Sequence, residues 1–183
     1  MTNGDVPVCW KGSCVPFVRS DPELVRKGFK VANLKPDELV VELGCGDAQN
    51  LIIAAKEFGA RGIGIEINPQ RVAEALSNIH EAGVEDKVEI IHGNFMDAED
   101  LIAKADLVYC YLTSSVNEMV KPMLSKYRTR ILSLTFPFGG WTPTAVIAGR
   151  GSKMYYYDRR SENVAGQTIK EKNLIERIID GLR

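Results

Sequence analysis

The sequence predicts a Rossmann-like α/β fold: a mostly parallel seven-stranded sheet ending in an antiparallel hairpin, with helices on both faces. Three observations point there. Through residue 134, short apolar runs alternate with stretches of helical periodicity, the mark of βαβ units. The first central run, Leu39–Leu43, stops at Gly44-Cys45-Gly46, where a strand hands over to a helix. Beyond Trp141, two apolar runs are separated only by Gly149-Arg150-Gly151-Ser152, which makes a hairpin and not another crossover.

Residues 1–20 hold Gly and Pro without periodicity and are expected to form an irregular arm. Ser20-Asp21-Pro22-Glu23 then opens a helix, with Asp21 or Ser20 as cap and proline at its first position. Leu24, Phe29, Val31 and Leu34 give that helix an apolar side, and Pro36 ends it. After the strand at Leu39–Leu43 comes a helix over 50–58, closed by Gly59, and a second strand over 62–67. Pro69 opens the next helix, whose apolar positions Val72, Ala73, Leu76 and Ile79 are expected to face the core before Gly83 stops it. A third strand over 88–91, a short helix over 98–103, a fourth strand over 107–111, a helix over 115–126 and a fifth strand over 131–134 follow. The hairpin pairs 144–148 with 153–157. Leu174, Ile175, Ile178, Ile179 and Leu182 form one stripe at helical spacing, so 160–183 is read as a helical extension packed on its own domain, with a homodimer contact as the alternative. The domain that binds the cofactor is thus 21–159.

Composition excludes several functions. A chain of 183 residues with net charge −1 has no strong field to draw polyanions, so nucleic acid is not the expected partner. No run approaches the roughly 18 to 20 apolar residues of a membrane span. Lys11 interrupts any early apolar stretch, so a cytoplasmic protein is expected. Cys45 and Cys110 read as packed thiols. Cys9 and Cys14 read as free thiols, because no second Cys/His pair follows to complete a metal site. His80 and His92 read as structural, and Lys121, Lys126, Arg128 and Arg130 as a solvated basic face.

Chemistry concentrates at the strand ends, where parallel sheets bind ligands. Glycines at 44 and 46 let backbone approach a cofactor that a Cβ would strike. Glu66 ends the second strand twenty residues after Gly46, where a carboxylate can accept the ribose hydroxyls of an adenosine. A dinucleotide fingerprint would place a third small residue at Gln49, and Asp47 would repel a pyrophosphate. Carboxylates at Glu42 and Asp47 instead suit the sulfonium and ammonium of S-adenosylmethionine. Asn94 and Phe95, after the third strand, supply an amide and an apolar neighbour for the adenine.

These residues resemble the small archaeal protein-lysine methyltransferases and their mitochondrial relatives, class I enzymes dependent on S-adenosylmethionine. The resemblance runs from about Val15 to Tyr157. It rests on Val15-Pro16-Phe17-Val18, on Glu42 to Asp47 and on Gly64-Ile65-Glu66-Ile67-Asn68-Pro69. More discriminating are Tyr111-Leu112 with Ser115-Val116-Asn117-Glu118, and Phe136-Pro137 with Gly140-Trp141. The resemblance implies an arm folded over the cofactor, with Val18, Cys45, Asn50 and Ile67 joining the donor side. It implies Tyr111 at the acceptor nitrogen as the catalytic residue, and an acceptor wall of Phe17, Thr113, Asn117, Thr135, Phe136, Pro137 and Trp141. The plain alternatives are a core aromatic at Tyr111 and a loop anchor at Trp141. Three departures stand out: Ala48-Gln49 in place of Gly-Arg, Thr113-Ser114 in place of Leu-Pro, and Leu134-Thr135 in place of His-Asp. The expectation is methyl transfer to protein lysine. A small molecule or an RNA base as acceptor, or a cofactor-binding module without turnover, are the alternatives.

Overall fold

A computed structural model describes residues 8–10 and 13–161. A short antiparallel hairpin of β1 (Val8–Trp10) and β2 (Ser13–Val15) opens it, where an irregular arm was expected. The sequence allows this: Val, Trp and Cys flank a two-residue spacer that contains a glycine. The extension over 162–183, with its apolar stripe and the dimer contact proposed for it, lies outside the described residues.

The main sheet comprises β3 (Leu39–Leu43), β4 (Arg61–Glu66), β5 (Val88–His92), β6 (Leu107–Cys110), β7 (Arg130–Leu134), β8 (Ala145–Ala148) and β9 (Lys153–Asp158). Its order is β5-β4-β3-β6-β7-β9-β8. The first five strands pair in parallel, while β9 runs antiparallel between β7 and β8. Strand order therefore reverses between β3 and β6. That is the switch point where open α/β sheets take their ligands.

Period-two alternation sends successive side chains to opposite faces. Val40, Leu107, Tyr109, Leu132 and Tyr156 meet α1 (Pro22–Val31), α2 (Gln49–Phe58) and α3 (Pro69–Ala82) on one face. Val41, Leu43, Val108, Cys110, Ile131 and Tyr157 meet α4 (Glu99–Ile102) and α5 (Ser114–Leu124) on the other. Asp21 caps α1, its carboxylate accepting from Glu23 N at 3.0 Å, which frees Ser20 for another use.

Three local expectations change. Helix α1 ends at Val31, before Pro36, because the buried Arg130 guanidinium receives its last carbonyls: Nη1 donates to Ala32 O at 2.7 Å and Asn33 O at 3.2 Å. Arg130 also pairs with Glu38 at 2.7 Å, so it is no part of a solvated basic face. On α3 the fully buried positions are Ala75 and Ile79, whereas Leu76 is 51% exposed. The helix lies with Ala75 against the sheet, and one residue along the chain turns Leu76 by about 100° towards solvent.

Candidate active site

Strand β3 delivers Glu42 to the switch point, and the chain turns at once through Gly44 (φ 76°), Gly46 (φ 54°) and Ala48 (φ 63°). Gly44 N and Cys45 N both donate to Ile65 O, at 2.9 and 3.1 Å, which ties the turn to the end of β4. The turn, the ends of β4, β5 and β6, and the arm before α1 enclose a cavity of about 440 Å³. That volume lies within the range of small-molecule sites. Every residue expected on the donor side lines it: Val18, Glu42, Gly44, Cys45, Gly46 and Asp47, together with Asn50, Glu66, Ile67, Asn94 and Phe95.

Three buried carboxyl groups converge there: Glu42, Asp47 and Glu66. Glu66 Oε2 accepts from Gly46 N at 2.9 Å, and its Oε1 accepts from Ile67 N and Asn68 N, each at 2.9 Å. Two carboxylate oxygens offer about four acceptor directions, so roughly one remains for a ligand hydroxyl. Asp47 Oδ2 accepts from Arg19 Nε at 2.7 Å. Glu42 Oε1 accepts from Asn50 Nδ2 at 2.7 Å, but its Oε2 is buried without a partner. Burial, with Asp47 and Glu66 close by, pushes the Glu42 carboxyl up to about 8, against the opposing Asn50 bond.

The arm forms the cavity's lid. A Cβ placed on Gly46 would fall 2.3 Å from Phe17 Cε2, so the ring lies directly on the glycine turn. Arg71 of α3 stacks over that ring at 3.7 Å. Arg19 reaches Glu74 of α3 at 3.2 Å in addition to Asp47. Ser20 Oγ accepts from Tyr109 OH at 3.0 Å and from Asn50 Nδ2 at 3.2 Å. These are the residues that sequence reasoning missed. Arg19, Ser20 and Arg71 occupy no motif, and Tyr109 looked like core. Only the close spacing of Ser20 and Asp21, two candidate caps for one helix, hinted that one of them was spare.

On the opposite wall Asn94 Oδ1 accepts from Met96 N at 3.0 Å, which holds the side chain at the cavity edge beside Phe95. Tyr111 follows β6 directly and lines the cavity with Leu112 and Val116. Among the residues expected on the acceptor side, Phe17 lines it too. Thr113, Asn117, Thr135, Phe136, Pro137 and Trp141 are not part of its lining.

Those six residues build a separate layer behind α5. Asn117 is fully buried; its Nδ2 donates to Phe136 O at 2.9 Å, and its Oδ1 has no partner. Thr135 takes φ 68°, and Phe136 N donates to Leu134 O at 2.8 Å across it. That is a γ-turn of the rare positive-φ kind, strained for a β-branched residue. Thr113 Oγ1 contacts Ser115 Oγ at 3.2 Å, and Pro137 is exposed. Trp141 packs on Phe138 (4.9 Å between ring centroids) and Tyr157 (5.8 Å) beneath the Arg159 guanidinium at 3.9 Å. His80 pairs with Glu85 on the surface, and His92 Nε2 meets Ile67 O at 3.2 Å.

The cavity suits a nucleoside that carries positive charge. It offers a glycine turn close to ligand backbone distance, a residual acceptor on Glu66, an amide beside an aromatic ring, and an orphaned carboxyl oxygen on Glu42. That donor set fits S-adenosylmethionine, and the three carboxyl groups would oppose a pyrophosphate. Among the described residues no group of His, Cys, Asp and Glu is arranged to hold a metal ion, and no helix is long and apolar enough to cross a membrane.

Residues 42–145 match the ANTKMT methyltransferase domain family. The chain is 40% identical over 137 residues to a protein-lysine N-methyltransferase of Saccharolobus islandicus, covering 73% of this chain and 84% of that one. It is 24% identical over 151 residues to an ATP synthase lysine N-methyltransferase of Xenopus laevis, covering 79% of this chain and 64% of that one. Among solved structures, an RNA methyltransferase from Salinibacter ruber bound to S-adenosyl-L-homocysteine superposes with a TM-score of 0.75 at 32% identity, covering 83% of this chain and all of that one.

Proposed function

Since the chain belongs to the ANTKMT methyltransferase domain family, whose members' fold and donor it shares, we propose that it methylates the side-chain amines of lysines in protein substrates. The observation that carries the donor half is the convergence of Glu42, Asp47 and Glu66 on one cavity beside the glycine turn. The similarity to protein-lysine methyltransferases over most of the chain supports the acceptor.

In this reading Glu66 takes a ribose hydroxyl, Asn94 and Phe95 hold the adenine, and Val18 and Ile67 shield it from solvent. Glu42 and Asp47 face the charged end of the donor. When bound, the donor supplies a methyl on a cationic sulfur: the S–C bond breaks with its electron pair kept by sulfur as the amine lone pair forms the N–C bond. The protein's own contribution is alignment, which can account for several kcal/mol of barrier. Tyr111 orients the amine, by its hydroxyl or its ring face. Leu112 and Val116 present an apolar wall in which a charged ammonium is disfavoured, so the acceptor arrives neutral. Phe17 closes the channel. Thr113, Asn117, Thr135, Phe136, Pro137 and Trp141 shape the loop that backs the acceptor side, and the packed thiols Cys45 and Cys110 accord with a cytoplasmic setting.

A second reading, an RNA base as acceptor, rests on the similarity to the Salinibacter ruber enzyme. Incubation with radiolabelled donor and a cell lysate separates the two. Label in protein bands that hydrolyse to methyl-lysine is the expected result. Label confined to RNA or small molecules, or donor binding with no transfer, would overturn the lysine assignment.

A further inference from the structure

Glu42 is an unusual group to find at the base of a ligand cavity. It is 3% exposed, one carboxyl oxygen holds Asn50 at 2.7 Å, and the other holds nothing. The groups that face it are Asp47 and Cys45 from the glycine turn, Glu66 from β4, Asn50 from α2, and Tyr109 and Cys110 from β6. None of these brings positive charge. Arg19, the cation of the lid, is committed to Asp47 at 2.7 Å and Glu74 at 3.2 Å. An isolated carboxylate in such a place would carry a large desolvation penalty, and a neutral carboxyl does not.

We propose that loading the methyl donor is coupled to loss of a proton from Glu42: the carboxyl enters the binding event neutral and ends it charged, its open oxygen turned to a cationic group of the ligand. This rests on the donor reading of the cavity. The balance is simple. A proton leaves the carboxyl for solvent, a ligand cation replaces it, and no bond to carbon changes. Burial beside Asp47 and Glu66 pushes the free carboxyl up to about 8, so near neutral pH it holds its proton until a cation arrives. The cation is either the sulfonium or the α-ammonium. If it is the sulfonium, methyl transfer removes the charge that kept Glu42 ionised; the carboxyl regains a proton, and the spent cofactor is released more readily than the donor.

Calorimetric titration of the whole protein at about pH 6.5, in buffers of different ionisation enthalpy, counts the protons. The ligand's own α-amino group, with a pKa near 8, is already protonated there, so released protons come from the protein. Wild type should release up to about one proton per S-adenosylmethionine bound, and Glu42→Gln none. Wild-type donor affinity should fall roughly tenfold for each pH unit below about 8, and that of Glu42→Gln should stay flat. Release with the donor alone assigns the sulfonium, and release with S-adenosylhomocysteine as well assigns the ammonium; either supports the proposal. Glutamine has the shape of the neutral carboxyl, and the wild-type proton count decides even if the variant folds poorly. Donor binding without proton release, or undiminished release by Glu42→Gln, would overturn it. Failure of wild type to bind the donor at all would overturn both this proposal and the donor reading beneath it.

Discussion

The two halves of the catalytic cleft are built by different rules. On the donor half, the ends of β3, β4 and β5 place Glu42, Glu66 and Asn94 within a few residues of a strand terminus. Glu66 and Asn94 are fixed by backbone amides close by in the chain or at the end of the next strand, and Glu42 by Asn50 eight residues on. On the acceptor half, Asn117 holds Phe136, Trp141 sits between Phe138 and Arg159, and Thr135 is strained in a γ-turn. Those contacts join α5, the loop after β7 and the chain after β9. The donor half is therefore a property of the sheet, and the acceptor half a property of loops packed onto it. One fold can keep its cofactor and change its substrate by altering only the second.

The strongest way to break that contrast is Glu66→Ala. It removes the ribose acceptor and also leaves the amides of Gly46, Ile67 and Asn68 without their partner. Donor affinity should fall by about 1 to 3 kcal/mol, with a stability loss of similar size, because orphaned amides carry their full desolvation penalty. Calorimetry and thermal melting read the two effects separately; unchanged donor affinity would remove Glu66 from the site. Trp141→Ala should cost about 2 to 3 kcal/mol of stability, somewhat less than a fully enclosed tryptophan, since the ring is partly exposed. Its donor affinity should stay near wild type; a large loss there would join the two halves energetically and weaken the distinction.

Tyr111→Phe stands at the boundary. Donor binding should persist while turnover drops by roughly tenfold, an effect of about 1.4 kcal/mol on the barrier. Full activity would reassign the ring to packing. The smallest effect is expected from Thr135→Gly. Glycine takes a positive φ without the side-chain clash, so a net gain of up to about 1 kcal/mol and a slightly higher Tm should follow. A Tm that falls would mean that the threonine side chain contributes more than its strain costs.

Glu42 adds a pH test to the donor half. A carboxyl pushed up to about 8 in the folded chain, from an ordinary 4.5, stabilises the fold below that lower value and loses its contribution as pH rises through the upper one. Glu42→Gln should therefore melt higher than wild type near pH 8 and above, and the difference should shrink as the pH falls towards 4.5.

The same contrast explains what could be read from the sequence. Strand–glycine–helix junctions leave local signatures, so the sheet order, the hairpin insertion and the donor-side lining were legible in the positions of Gly44, Gly46, Glu66 and Asn94. The lid was not. Arg19 meets Asp47 across 28 residues, and Ser20 meets Tyr109 across 89, pairings that no periodicity encodes. Thr135 was visible as an unusual residue type, but its γ-turn depends on how β9 anchors it, with Thr135 N donating to Lys153 O at 2.7 Å. Arg130 looked like part of a basic face because charge in sequence does not reveal that α1 ends above it.

A crystal structure with S-adenosylhomocysteine bound tests the donor pocket most directly. The nucleoside should lie across the ends of β3, β4 and β5, with ribose at Glu66, adenine between Asn94 and Phe95, and sulfur directed towards Tyr111. A nucleoside found elsewhere on the molecule, or seated with its ribose away from Glu66, would contradict that assignment.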